Sequence, residues 1–366
     1  MSRALDKDTA AALQKGDPEA AFRAIADVLT DEQPSSSSAS PAHLEIEFLG
    51  HEHPPLPAGE SLLRDGNAVA IPKLNLVQAY FVARKLLQKY RASHSLPSTE
   101  SSQSILRVTA VILLMDPEHL TAANTRKRLI QVALQRDLTA ASSLLARELH
   151  LVDSLLTSHL HRHTKSPTLW SHRRWLISFL SAPTANGDDD RLVRDITEVV
   201  MVAGVRHPRN YYAWEHARWL VHRRWGSGQG EKGNDKLVVA VRDWCYRNHT
   251  DTSGWSFLFF LLASLPSPPT AAALAPLYQE TVTQVEQMAT SLRWTGEAVW
   301  VFLRTAVAYL EQAQGEAADG NDHYARFRDT ASNLLATVDT ASHEHKILQR
   351  AQKWCAANAR HTSTTT

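Results

Sequence analysis

The chain has 366 residues, 43% of them hydrophobic and 21% charged, a composition that fits a globular protein large enough to bury a substantial core. Its 39 lysines and arginines nearly cancel 38 aspartates and glutamates, so a net charge of +1 supplies no overall field to gather nucleic acid or an anionic membrane. Two cysteines, Cys245 and Cys355, lie far apart without a metal-binding neighbourhood, which excludes a disulfide scaffold and points to a reducing, intracellular compartment.

The start, "MSRALDKDTAAALQ", has no apolar targeting core, and no apolar run approaches the ~20 residues of a membrane span. Ala11, Leu13, Ala21, Phe22, Ile25, Val28 and Leu29 recur at helical spacing and predict one helix within 8–32. The serine-rich "QPSSSSASPA" follows as a flexible linker. Leu44 to Leu49 alternate as one short strand would, amid prolines and glycines that leave too little for a sheet domain. From Leu74 onward the pattern is helical, broken at "DP" (116), "KSP" (165), "PTANGDDD" (183), "GSGQGEKGND" (226), "PSPP" (266) and "QGEAADGND" (314). The chain thus divides into an N-terminal helical segment 1–33, a linker and irregular region 34–71, and an α-helical repeat domain 72–366. Its end, "ARHTSTTT", holds no cysteine for lipidation.

Tryptophan carries an internal period. Trp170, Trp214, Trp255 and Trp300 are spaced by 44, 41 and 45 residues. An earlier copy has Pro117 six residues before Ala123, as Pro208 precedes Trp214, with Arg126 and Leu129 following. Five copies of this length predict an all-α fold, an α-α superhelix (solenoid) of helical hairpins, each stable only against its neighbours. In the second copy Ser166 suits the N-cap and Pro167 the first helical position. Trp170, Trp175 and Leu176 then point in different directions, as on a helix lying between others. The four periodic tryptophans, with Trp175 and Trp219, are read as core. Arg173, Arg174 and Arg218 are read as snorkelling or bonding to neighbouring helix ends, or as lining a subunit interface, and Arg304 joins this set of interface or structural repeat positions.

Three other motifs are weaker. His159 and His163 in "HLHRH" have the spacing of two zinc ligands on a helix but no third ligand, and are read as a polar surface. "GDDD" before Arg191 suits a helix start, where carboxylates complement the dipole. "GSGQGEKG" follows no strand and lacks Gly-Lys-Ser/Thr, so it is read as a loop and not as a phosphate cradle. No metal site is expected.

The copies "SPTLWSHRRWLI" and "PRNYYAWEHARWLV" resemble the repeat of protein prenyltransferase α subunits: Pro or Asn, several residues, Trp, two residues, Arg, two residues, Leu. The resemblance covers roughly 115 to 310. The first copy lacks the tryptophan, and the fourth puts Leu258, Phe259 and Phe260 at polar positions. With its long divergent amino-terminal region, the chain looks more like the α-subunit-repeat-containing branch than like the farnesyltransferase or Rab geranylgeranyltransferase α subunits. The resemblance implies a crescent of hairpins wrapping a separate β subunit, which would hold the zinc and the isoprenoid pocket, with no cofactor in this chain. It implies a cytoplasmic protein prenyltransferase, inactive without that β subunit.

Arg209 stands where the family places a lysine before an Asn-Tyr pair, and Asn210 and Tyr211 follow. The resemblance puts Arg209 and Tyr211 at the diphosphate-side rim, near the isoprenoid diphosphate and the protein substrate; otherwise they read as a solvated helix cap. The alternative function is a non-catalytic helical-repeat scaffold that binds a partner protein. No basic stripe repeats in every copy, so nucleic acid is not an expected partner.

Overall fold

A computed structural model describes residues 16–30, 42–50, 52–54, 56–57, 59–92, 99–180, 188–225, 234–264, 276–314 and 323–359. The glycine-rich segment 226–233, "PSPP" at 266 and nearly all of the serine-rich linker lie outside them. The chain forms two compact units, Met1–Ala182 and Pro183–Thr366.

In the first unit, α1 (Pro18–Thr30) starts where Asp17 accepts a hydrogen bond from the Ala20 N–H at 2.9 Å. It buries Ala21, Phe22, Ile25, Ala26 and Leu29, and packs on α2 (Lys73–Ala92) and α3 (Thr99–Met115). Between α1 and α2 lie β1 (Glu45–Leu49), β2 (Leu63–Asp65) and β3 (Ala68–Pro72), in the order β1-β3-β2. β1 runs parallel and β2 antiparallel to β3, with Ile46, Val69 and Ile71 buried. The alternation at Leu44–Leu49 foreshadows β1; the other two strands escape the sequence reading. β2 is three residues long and turns into β3 at Gly66, φ 58°. So short a strand leaves no periodicity to read.

Next come α4 (Leu120–Arg136), α5 (Leu138–Thr157), the single turn α6 (His161–Thr164) and α7 (Pro167–Phe179). α3 pairs with α4 and α5 with α7, and α4 lies against α7. In the second unit, Asp188–Arg194, a π-helical stretch Asp195–Val200 and Met201–Arg206 run on as one helix, α8. It is followed by α9 (Tyr211–Trp225), α10 (Asn234–Arg247), α11 (Thr252–Ala263), α12 (Pro276–Ser291) and α13 (Glu297–Gln314). The pairs α8–α9, α10–α11 and α12–α13 are hairpins, and their second helices stand side by side, α9 on α11 and α11 on α13. A last pair without the tryptophan period, α14 (His323–Leu335) and α15 (His343–Asn358), packs on α13. Apart from the small sheet, the described residues make the all-α hairpin fold that the period predicts.

Candidate functional site

Each second helix begins three residues before its repeat position, and in four copies the side chain of the residue just before the helix caps it. Ser166 Oγ accepts from the Leu169 N–H at 3.0 Å, Asn210 Oδ1 from Ala213 at 3.3 Å, and Asp251 Oδ1 from Ser253 at 2.8 Å and Gly254 at 3.1 Å. In the first copy His119 Nδ1 accepts from Ala122 at 3.2 Å. These groups satisfy N–H donors that a helix cannot pair internally. Four residues on, Trp170, Trp214, Trp255 and Trp300 are all buried. Trp214 meets Phe257 at a centroid distance of 5.3 Å, and Trp255 meets Phe302 at 5.0 Å, so each indole packs on the residue two beyond the next tryptophan. Of the three apolar residues that the fourth copy puts at polar positions, Leu258 is fully buried, next to the Phe257 that packs on Trp214.

The buried arginines correct the sequence reading. Arg173 does not snorkel: it is 0% exposed, with Nε 2.6 Å from Asp153 Oδ1 and an Nη 3.3 Å from Oδ2. Arg126, three residues beyond Ala123, makes the matching pair with Glu148, and also donates to Thr109 Oγ1 at 2.8 Å. Burial alone raises the Glu148 carboxyl, but the Arg126 charge and the hydrogen bonds from His172 and Arg126 outweigh it and hold it at about 2. Arg218 and Arg304 follow their tryptophans by four residues instead of three, and are only partly buried. Arg218 donates to Trp214 O at 3.3 Å and Ser256 Oγ at 2.9 Å and lies over Phe257 and Phe260; Arg304 lies 4.8 Å over Trp354. Arg174 is partly buried.

The third hairpin turn, like the fifth at Arg293 (φ 52°), holds an arginine with positive φ. α8 ends at Arg206, and Arg209 adopts φ 59°, a left-handed conformation uncommon for a residue with a β-carbon. Its N–H donates to Asp251 Oδ2 at 2.9 Å. Asn210 is buried as the cap, whereas Arg209 is exposed and Tyr211 and Tyr212 are 72% and 48% exposed. A permanently charged guanidinium and two phenols thus stand at the solvent edge of a fixed backbone. This set can donate charge-assisted hydrogen bonds to a phosphate-type anion.

Residues 145–180 match the family model for the protein prenyltransferase alpha subunit repeat. The chain carries that repeat. Residues 169–267 also match the ECM9 middle domain. The chain is 27% identical over 208 residues to protein prenyltransferase alpha subunit repeat-containing protein 1 of Danio rerio, covering 52% of this chain and 45% of that one. It is 29% identical to protein ECM9 of Saccharomyces cerevisiae, over 44% of this chain and 41% of that one. More distantly, it is 24% identical to geranylgeranyl transferase type-2 subunit alpha of Bos taurus, over 63% of this chain and 37% of that one. The alignments thus span less than half the length of each relative.

The repeat segment 145–180 includes the buried Trp170 and the Arg173–Asp153 pair, and the copies around it share its cap and core. Outside this pattern, the two histidines of "HLHRH" do not share a helix, because α5 ends at Thr157 and α6 begins at His161. His163 is not on the surface; its Nε2 lies 2.8 Å from Leu114 O, and burial lowers its pKa to about 4. Among the "GDDD" carboxylates, Asp190 lies in the first turn of α8, 3.7 Å from Lys236 Nζ. Among the described residues no three His, Cys, Asp or Glu side chains gather as a metal site requires, and no helix is long and apolar enough to cross a membrane. Two hollows in the first unit, of about 520 and 270 Å³, lie over the sheet and beside Arg126–Glu148. Sequence reasoning missed the carboxylate partners Glu148 and Asp153, and the Asp251 tie to Arg209; all three partners lie 20 or more residues from the group they hold.

Proposed function

We propose that this chain is the α-type subunit of a heterodimeric protein prenyltransferase, supporting transfer of a farnesyl or geranylgeranyl group from its diphosphate to a protein cysteine. The observation that carries the reading is the exposed Arg209, beside exposed Tyr211 and Tyr212, on a turn held at φ 59°. The fold does not need these side chains for its core. In the reaction a cysteine thiolate attacks the allylic carbon, the carbon–oxygen bond breaks and diphosphate leaves with the electron pair. A cation at the leaving group stabilises that developing charge, and Arg209 occupies the place where the resembling subunits carry lysine. On this reading the site at the exposed turn is completed by a β subunit that supplies the zinc and the isoprenoid pocket.

The test is transfer by the chain reconstituted with a prenyltransferase β subunit. Arg209→Ala is expected to leave the complex intact on gel filtration and to slow single-turnover transfer on the order of tenfold to a thousandfold, as for loss of one charge-stabilising donor. Arg209→Lys is expected to recover much of the rate. Equal rates for wild type and Arg209→Ala would remove Arg209 from the reaction. A second reading, a scaffold that binds a partner protein with the same face, is favoured by the similarity to proteins named for the repeat alone. It would be preferred if purification from the native cell recovered a stoichiometric partner other than a β subunit.

A further inference from the structure

In three hairpins the repeat tryptophan donates its indole N–H to the carbonyl oxygen six residues earlier: Trp170 to Thr164 at 2.9 Å, Trp255 to His249 at 3.0 Å and Trp300 to Trp294 at 2.8 Å. The hairpin with the Arg209 turn breaks this rule. Trp214 is 1% exposed, yet its Nε1 has no hydrogen-bond partner, and the residue six earlier is Pro208. A buried donor left unpaired is costly, so another interaction must hold the turn in this form.

The peptide group joining Pro208 to Arg209 accounts for both departures. Its N–H donates to Asp251 Oδ2 at 2.9 Å, and the described peptide bonds are all trans. In a trans peptide the N–H and C=O point in opposite directions, so a group anchored to Asp251 by its N–H turns its carbonyl away from the Trp214 indole. Lys165, Arg209, Thr250 and Thr295 each lie five residues before their tryptophans, and of these Arg209 alone has positive φ.

The chemistry of the next helix cap explains why the peptide turns here. Asp251 spends Oδ1 on the Ser253 and Gly254 N–H groups of α11 and reaches back with Oδ2. The corresponding cap in the second hairpin is Ser166. Its hydroxyl lies 3.2 Å from the carbonyl oxygen of Pro117, the counterpart of Pro208, and shares its proton with the Glu118 carboxylate. A hydroxyl can donate to a carbonyl, whereas a carboxylate only accepts. A carboxylate cap therefore selects the N–H end of the preceding turn and inverts the peptide.

We infer that Asp251 is a positioning residue: it holds the Pro208–Arg209 peptide inverted against the pull of the Trp214 indole, and so sets the direction in which Arg209 leaves the turn. Its consequence for transfer rests on the reading of Arg209 given above; its consequence for the turn does not.

Asp251→Asn tests it in the full chain. The amide keeps one oxygen for the cap but presents an NH₂ group, which repels the Arg209 N–H and attracts the Pro208 carbonyl. The Trp214 indole N–H resonance, assigned by its loss in Trp214→Phe, is expected to move downfield and to exchange more slowly as it gains that carbonyl. With the reconstituted heterodimer, kcat is expected to fall tenfold or more while KM for the protein acceptor stays unchanged. Asp251→Ser, which also keeps a capping oxygen, is expected to act likewise and guards against a folding defect of one variant. An unchanged indole resonance in both variants would overturn the inference whatever the activity. A shifted resonance with wild-type kcat would overturn the positioning role. No transfer by the wild-type heterodimer would count against the functional reading instead, with the indole resonance still deciding the peptide's orientation.

Discussion

The guanidinium of Arg173 is fully buried with Nε 2.6 Å from Asp153 Oδ1, and Arg126 repeats the relation to Glu148 one hairpin earlier at 2.7 Å. Each pair crosses from the second helix of a hairpin to α5, so one helix answers two successive repeats with carboxylates. Arg173→Met would strand the Asp153 carboxylate among buried neighbours and is expected to cost about 3–5 kcal/mol in denaturant unfolding. Arg173→Met with Asp153→Leu is expected to recover most of that loss. A single variant as stable as wild type would show that the pair is solvated in solution.

The tryptophans should not respond alike. Trp255→Phe removes an indole donor bound to His249 O, whereas Trp214→Phe removes one with no partner. Both lose ring volume, but the first also loses a hydrogen bond, so it is expected to be the costlier by about 1 kcal/mol. Truncation to alanine at Trp214 is expected to cost about 3–5 kcal/mol, the range for emptying a large aromatic site. Thermal or urea unfolding of the variants measures both.

Arg209 stores backbone strain at φ 59°. Glycine meets no steric penalty there, so Arg209→Gly is expected to stabilise the chain by up to about 1 kcal/mol while removing the side chain proposed to meet diphosphate. A more stable but slower variant is the pattern of strain kept at a functional turn. A destabilised Arg209→Gly would argue that the arginine side chain itself supports the fold.

Glu286 supplies a pH signature. Burial raises its carboxyl to about 7 from 4.5, against the opposing charge and hydrogen bond of Arg326, whose Nη lies 3.2 Å away. A group with a raised folded pKa contributes stability that is full below its unfolded value and is lost as pH rises through the folded one. Stability should therefore fall between pH 4.5 and about 7 by on the order of 3 kcal/mol from this group. Glu286→Gln is expected to remove that component, and unfolding curves at pH 5 and pH 8 compare the two proteins.

Residue order alone was enough for the hairpin architecture, because the signals that specify it are local. A cap, a proline and a tryptophan recur within a few residues of one another, and the spacing of the copies exposes the repeat. The buried place of Trp170, Trp214, Trp255 and Trp300, and the capping by Ser166 and Asn210, belong to this local code. Folding decided the pairings between distant residues: β1 and β2 with β3, Arg173 with Asp153, Arg126 with Glu148, and the Arg209 N–H with Asp251. An arginine in a sequence looks the same whether its charge will meet water or a carboxylate brought from another helix. Its partner, and hence its burial and its role, exist only once the helices are packed, because an ion pair depends on distance in space and not on separation along the chain.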